Sequence, residues 1–269
     1  MNGRGRWGVK INTPAIISGN DTDAQAFITA AGITDTTQQS AINTLVTNLK
    51  GYGIWSKMKA IYPFVGGTAN SHKFNLKNPA DSNAAFRLSF LGGWIHSSTG
   101  AKPNGTTGYA DTKLTPSVSL TLNNTSLSYY SRTNGYVLGA EIGARVWNSS
   151  DVSLGIYGSS VLTGRVNTYS DSANISVSDT LGLYQITRTG GSTQKVFKNG
   201  ASNSASITTS TIAVNYPIYL SVLNVGGTAT YFSNRQCAFA SVGDGLTDTE
   251  AANFYTAVQT FQTTLGRQV

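Results

Sequence analysis

Ser241-Val242-Gly243-Asp244-Gly245-Leu246-Thr247-Asp248-Thr249-Glu250 runs directly into Ala251-Ala252-Asn253-Phe254-Tyr255-Thr256-Ala257-Val258-Gln259. The stretch reads as a strand that stops and a helix that starts. Gly243 and Gly245 supply turn geometry around Asp244. Thr247 followed by Glu250 is a capping box: the hydroxyl accepts from the third helical N–H, and the carboxylate accepts from the cap N–H. Phe254, Val258, Phe261 and Leu265 then recur at helical spacing, one apolar stripe on a Thr- and Gln-rich helix.

Upstream of this ending, from Gly67 onward, the apolar period is two. Val118, Leu120 and Leu122 alternate with Ser119 and Thr121; Val152, Leu154 and Ile156 with Ser153 and Gly155; Ile218, Leu220 and Val222 with Tyr219 and Ser221. Each reads as a strand with one buried face. Asn104-Gly105, Asn134-Gly135, Gly190-Gly191, Asn199-Gly200 and Gly226-Gly227 punctuate them as turns. Many short strands with such turns and no helices between them imply an antiparallel sandwich.

Before Gly67 the period is helical. Asp21 to Ala31 reads as a first helix, stopped by Gly32. Asp35 caps a second, with Gln38 as its reciprocal partner, and Ile42, Leu45, Val46 and Leu49 form its stripe up to Gly51. Ile54, Trp55, Met58 and Ile61 read as the stripe of a third, terminated by Pro63. Each stripe must bury against another helix, the sandwich or another chain. Residues 1 to 20, with Gly3, Gly5, Gly8, Pro14 and Gly19, read as an extended arm.

Three stretches carry a resemblance. The Gly-Asp-Gly turn, Leu246-Thr247-Asp248-Thr249-Glu250 and the short helix are similar to the closing element of laminin G-like (concanavalin A-like) jelly rolls. Gln194-Lys195-Val196-Phe197-Lys198-Asn199-Gly200 resembles a late hairpin of those domains, and Tyr129-Tyr130-Ser131-Arg132-Thr133 an inner strand. The opening, Asp23-Ala24-Gln25-Ala26-Phe27-Ile28 and then Ile54-Trp55-Ser56-Lys57-Met58-Lys59-Ala60-Ile61-Tyr62-Pro63-Phe64-Val65-Gly66-Gly67, taken with that ending, resembles virion structural proteins of tailed phages of Bacteroidota. The resemblance spans roughly residues 21 to 269 and implies lineage and fold. It implies no particular activity, because the fold hosts many.

Bulk properties are compatible with that expectation. A chain of 269 residues can bury a core without staples. Cys237 is alone, which excludes an intrachain disulfide and the disulfide-rich secreted class. No apolar stretch follows Met1-Asn2-Gly3-Arg4-Gly5-Arg6 as a signal peptide would require, and none is long enough to span a membrane. Charged residues are only 12% of the chain, so hydroxyls and amides dominate its surface, as is common on viral and extracellular β-structures. Part of the net charge of +7 sits at Lys50, Lys57, Lys59, Lys73 and Lys77, with no acid between Asp35 and Asp81, and Arg4, Arg6 and Lys10 add a basic tip. That zone is too sparse for a strong phosphate footprint and reads as a solvated basic face.

Catalytic residues are not evident. Glu141 and Glu250 are the two glutamates. Glu250 is spent on the cap, and Glu141 has no acidic partner at +2 or +5, where jelly-roll glucanases carry theirs; a glycosidase needs two carboxylates. His72 and His96 read as isolated, outside any ligand spacing. Cys237 reads as a small buried hydrophobe. Asp244 with Asp248, and Asp171 with Asp179, match no calcium loop. What remains is Trp94, Tyr109, Tyr136, Trp147 and Tyr169 beside Asn104, Asn134, Asn148 and Asn167. Such residues suit sugar stacking, although at least two of the five aromatics are expected in the core.

The sequence thus predicts a mainly β, antiparallel jelly-roll sandwich over residues 67 to 269, preceded by the arm (1 to 20) and a helical attachment or oligomerisation segment (21 to 66). The expected role is a non-enzymatic phage virion component in a head, collar or tail fibre or spike, holding host-surface glycans. A tailspike-type glycan-degrading enzyme and a capsid decoration protein without ligand are the alternatives. No catalytic residue, metal or cofactor is assigned, and the binding residues stay open. Expected partners are other virion proteins and further copies of the chain, with a trimer favoured, and neither nucleic acid nor a membrane.

Overall fold

The computed structural model describes residues 19–269 apart from 159 and 208, and the side chains of 202–205 and 207 are left out. The arm therefore lies almost wholly outside the described residues. The chain begins with α1 (Thr22–Ala31), α2 (Thr36–Gly51) and β1 (Met58–Tyr62). Next come α3 (Ala69–His72), β2 (Ser89–Leu91), β3 (Trp94–Ser97), β4 (Gly100–Pro103), β5 (Tyr109–Asp111) and α4 (Pro116–Ser119). The long central strands are β6 (Thr125–Ser131), β7 (Ile142–Val146), β8 (Ser150–Tyr157) and β9 (Val161–Thr168). They are followed by β10 (Ala173–Ser176), β11 (Gly182–Arg188), β12 (Thr193–Lys198) and β13 (Ala201–Ile207). The chain closes with β14 (Tyr219–Leu220), β15 (Leu223–Val225), β16 (Thr228–Thr230), β17 (Cys237–Gly243) and α5 (Asp248–Thr264).

The strands form two sheets. One has eight strands in the order β13-β12-β11-β6-β17-β4-β3, with β1 also on β17. The other has nine, in the order β10-β9-β8-β7-β14-β5-β2, with β15 also on β7 and β16 on β15. Every pairing is antiparallel except β15 against β7. The protein is a mainly β jelly-roll sandwich with N-terminal helices and a C-terminal helix. Leu127, Tyr129, Tyr184, Ile186 and Val242 of the first sheet meet Ile142, Val152, Leu154, Ile156 and Leu162 of the second in one core.

The opposite face of the eight-stranded sheet is equally apolar, because α1, α2 and α5 cover it. Tyr130, Leu183, Phe197 and Phe239 join Phe27, Leu45, Leu49, Phe254, Val258 and Phe261 in a second cluster. The stripes of α1 and α2 are thus spent inside this chain, on α5 and on the sheet. Each fully buried Phe or Leu contributes about 1.5–3 kcal/mol, so this layer is integral to stability.

Local signals hold at several points. Thr247 accepts from Glu250 N, and the Glu250 carboxylate accepts from Thr247 N, the expected capping box. Asp21 and Gly32 bound α1, with Gly32 left-handed. Asn199 and Gly200, at φ 51° and 75°, turn β12 into β13 in the geometry that an Asn-Gly hairpin demands.

Four expectations fail in whole or part. The third helix is absent: Trp55–Lys57 is one 3-10 turn, and Met58–Tyr62 is a strand. A bulge between Met58 and Ala60 turns Met58 and Ile61 toward the helices while Ala60 and Tyr62 enter the sandwich core. That double burial mimics helical spacing. Residues 118–122 are not a strand either: Pro116 opens a four-residue helix and Val118 is 83% exposed. Gln38 does not reciprocate the Asp35 cap; its amide oxygen accepts from Gly66 N. The strand around Ile218 to Val222 is shorter than its alternation suggests, because Ser221 has φ 63° and breaks it.

The basic zone is largely neutralised by acids from other segments. Lys50 pairs with Asp21 and Asp23, Lys57 with Glu250, Lys59 with Asp244 at 3.5 Å, and Lys73 with Asp81. Lys77 lies over the Trp55 ring at 4.0 Å.

Arg267, which the sequence did not single out, locks the chain end. It is 1% exposed and donates to the carbonyls of Pro63, Phe64 and Ala238 and to Gln262 Oε1. Burial and the neighbouring Arg132 lower its pKa to about 9, so it stays charged at neutral pH.

Candidate functional site

The helices leave the outer face of the nine-stranded sheet to its own side chains. On β7, β8 and β9, Ile142, Ala144, Val152, Leu154, Ile156, Leu162 and Val166 point inward. Alternation then sends Gly143, Arg145, Asp151, Ser153, Tyr157 and Arg165 outward, with Trp147 just past the end of β7. Register aligns them. Arg145 lies opposite Asp151, and Gly143 opposite Ser153. Arg165 lies opposite Ser153 on the far side, and Tyr219 opposite Gly143. Gly143 is buried, with Ser153 packed into the space a side chain there would need: a Cβ would meet Ser153 Cβ at 2.6 Å.

Charge on this face is unevenly shared. Arg145 donates through both Nε and a terminal nitrogen to the same Asp151 oxygen, at 2.9 and 2.5 Å. Arg165 reaches that oxygen only at 3.6 Å, and its buried Nε has no hydrogen-bond partner among the described residues. Burial raises the pKa of Asp151, and Arg145 pulls it back. Burial lowers that of Arg145, and the Asp151 charge more than offsets this, leaving it raised. The Arg145 guanidinium also lies 5.3 Å from the centre of the Trp147 ring, which meets Tyr169 edge-on at 6.3 Å. Trp147 remains 55% exposed. Asp151 and Ser153 are buried beneath this layer, and the exposed Trp147 plate with the half-buried Tyr157 and Arg165 forms a surface able to stack a ring and hydrogen-bond its substituents.

None of the five candidate aromatics is buried, contrary to the expectation that at least two are. Tyr136 and Trp147 are exposed, and Trp94, Tyr109 and Tyr169 are half-buried. Aliphatic residues together with Tyr62, Tyr129 and Tyr184 fill the sandwich instead. Tyr109 stacks on Tyr219 at 4.9 Å. Trp94 lines a separate cleft of about 400 Å³ with Ile95, Lys102, Asn104 and Asn234. Its indole N–H is committed to Leu91 and Tyr109 carbonyls, and Asn104 is committed to its own loop. Asn134 and Asn167 are likewise spent on Thr180 and Leu122. The sheet face therefore offers the better polar groups.

Glu141 is fully buried in an ion pair with Arg235 at 3.1 Å and accepts from Ser233 and Ile156 N. Burial pushes its carboxyl up to about 7. Its carboxylate is out of reach of a substrate. The histidines are not isolated: His72 Nδ1 and His96 Nδ1 are 2.9 Å apart, in a ring cluster with Phe64, Phe90 and Trp94. Burial, with His96 and Arg267 adding, lowers the His72 pKa to about 3. Four of the chain's ring-bearing segments converge there, which spacing along the chain does not disclose. Cys237 is a buried core residue, as expected. Asp248 and Asp179 pair with Lys195 and Lys198, and no cluster of three metal-ligating side chains occurs among the described residues.

Arg145, Asp151 and Arg165 were not among the residues the sequence marked as candidates. Their outward phase on alternating strands was legible; their convergence required the register.

No family model matches the chain, and no curated protein matches it. Among solved structures it is similar to one of botulinum neurotoxin type C concerned with cell entry through two ganglioside molecules. That likeness has 13% identity and a TM-score of 0.53, over 77% of this chain and 52% of that one. Domain 4 of AbnA, a GH43 extracellular arabinanase from Geobacillus stearothermophilus in complex with arabinotriose, matches at 13% identity and a TM-score of 0.49. The match covers 74% of this chain and 98% of that one. The binding domain of botulinum neurotoxin serotype G matches at 14% identity and a TM-score of 0.47, over 74% and 50%. The chain spans about half the length of the neurotoxin structures. At such identities the likeness is one of fold.

Proposed function

We propose that this protein is a non-enzymatic carbohydrate-binding jelly roll that holds glycans on the outer face of its nine-stranded sheet. The observation that carries the reading is the exposed Trp147 backed by Arg145, beside Asp151, Arg165 and Tyr157. The neighbours lend support: the arabinanase domain was solved with arabinotriose, and the neurotoxin structure concerns gangliosides. The resemblance of both chain ends to phage virion proteins, and the hydroxyl-rich surface, support placement on a tailed-phage particle. There it would meet other virion proteins and further copies of itself, and the glycan would belong to the host surface. The inaccessible Glu141 and the ion-paired Asp residues support binding without turnover.

The test is a glycan array probed with the full chain and with Trp147→Ala, followed by calorimetry on the best hit. Loss of binding in the variant supports the face; undiminished binding moves the site elsewhere. Release of new reducing ends, abolished in Glu141→Gln, would replace this reading with a tailspike-type enzyme. Purified particles that lack the protein would remove the virion placement.

A further inference from the structure

We infer that the saccharide held on this face is acidic, and that its carboxylate docks on Arg165 while a sugar ring stacks on Trp147. This rests on the glycan-binding reading above and names the class of ligand. The argument starts from a count of charges. The face sets two guanidinium groups, Arg145 and Arg165, against one carboxylate, Asp151. Arg145 takes the near oxygen of that carboxylate with two donors, at 2.9 and 2.5 Å. Arg165 is left at 3.6 Å, beyond hydrogen-bond range, with its side chain 21% exposed. Its Nε is buried without a partner among the described residues. A guanidinium so placed carries a full charge; its Nε is buried, and the fork of its two terminal nitrogens is held by the protein only through the 3.6 Å contact to Asp151. A ligand carboxylate matches that fork in two parallel hydrogen bonds, and a neutral hydroxyl does not.

The surroundings favour a sugar acid over other anions. One net positive charge is too small a footprint for a nucleic acid, whose affinity grows with the number of phosphates neutralised. The acid group has aromatic company on both sides. Tyr157 lies close enough to Asp151, Arg145 and Arg165 for all three charges to act on it. Trp147 lies beyond Arg145, which is stacked on it at 5.3 Å. Arg165 faces Ser153 on β8, while Trp147 lies past Arg145 at the end of β7, so one ligand touching both crosses β8 diagonally, over the Asp151–Arg145 pair. That span requires more than a single sugar ring. Asp151 has a defined part: it holds Arg145 beside Trp147 with two short hydrogen bonds and meets Arg165 only at 3.6 Å.

The experiment uses the full chain and a panel printed in matched pairs. Each carboxylated oligosaccharide, uronic or sialylated, stands beside its methyl ester, with sulfated oligosaccharides alongside. The expected result is binding of a carboxylated member roughly tenfold to a hundredfold tighter than its ester, as for a hydrogen-bonded charge, and weakened by salt. Arg165→Gln should erase that preference while residual binding of the ester persists. Arg165→Lys, which keeps the charge without the fork, should restore part of it. Trp147→Ala should weaken acid and ester alike. Thermal melts of each variant confirm that it is folded. Equal binding of acid and ester, or a preference untouched by Arg165→Gln, overturns this inference and leaves the glycan-binding reading standing. Preference for sulfated over carboxylated members overturns the carboxylate assignment. Binding of no glycan at all overturns both.

Discussion

Replacing Arg267 by Met keeps most of the aliphatic stem and deletes the guanidinium. The wild-type group gives hydrogen bonds of 2.6–3.0 Å to Pro63 O, Phe64 O, Ala238 O and Gln262 Oε1. Its removal strands the buried carbonyls of Pro63 and Phe64 and leaves Ala238 O only its 3.3 Å bond from Gln262, and each unsatisfied group costs about 1–3 kcal/mol. Against this, the substitution recovers several kcal/mol, on the order of one buried charge's desolvation. The Gln262 amide can also turn, since its nitrogen already reaches Ala238 O. The balance is a net loss of about 2–4 kcal/mol, set by the neutral carbonyls left unpaired, since no charge is orphaned. In a domain of this size that lowers the melting temperature by roughly 5–15 °C. Urea unfolding followed by tryptophan fluorescence would read it as a shift in midpoint at constant slope. Arg267→Lys should fall between wild type and Met, because it keeps a charge but loses the fork. A loss below about 1 kcal/mol for Met would refute the reasoning and mean that the carbonyls find other donors.

Other outcomes follow from the same structure. Phe261→Ala should cost about 3–5 kcal/mol, because it empties a fully buried site against Phe239, whereas Thr247→Ala should cost about 1 kcal/mol as a lost cap; equal small effects in chemical denaturation would mean that α5 does not pack on the sheet. His72 is held neutral, its folded pKa near 3 against 6.5 unfolded. Its contribution is complete above pH 6.5 and is lost as pH falls from there toward 3, with a slope approaching about 1.4 kcal/mol per pH unit. Melting curves of His72→Leu should show a flatter acid limb, and an unchanged limb would refute the assignment. Deleting residues 1–66 removes β1 and uncovers Phe197, Phe239 and Phe254, so the remainder should be insoluble or molten; a soluble, cooperatively melting product would show the sandwich to be self-sufficient.

Local chemistry determined what the chain disclosed by itself. The Thr247/Glu250 box, the Asp21 cap with Gly32 and the Asn199-Gly200 turn depend on atoms within a few residues of one another, and all three form as the sequence implies. The alternation of Val152, Leu154 and Ile156 likewise assigned one face of β8 to the core, since period two leaves no other choice. Only the tertiary structure decided the rest. Met58 to Tyr62 became a strand because β17 lay ready to pair with it, with apolar layers on both sides, and a bulged strand buried on two faces carries the spacing of a helix. His72 and His96 meet because α3 and β3 are brought side by side, which no spacing along the chain records. The candidate face is of the same kind. Trp147 was visible as an aromatic, but the surplus of Arg165 over Asp151 exists only once β7, β8 and β9 pair in one register, because charge balance is a property of neighbours in space and not of neighbours in sequence.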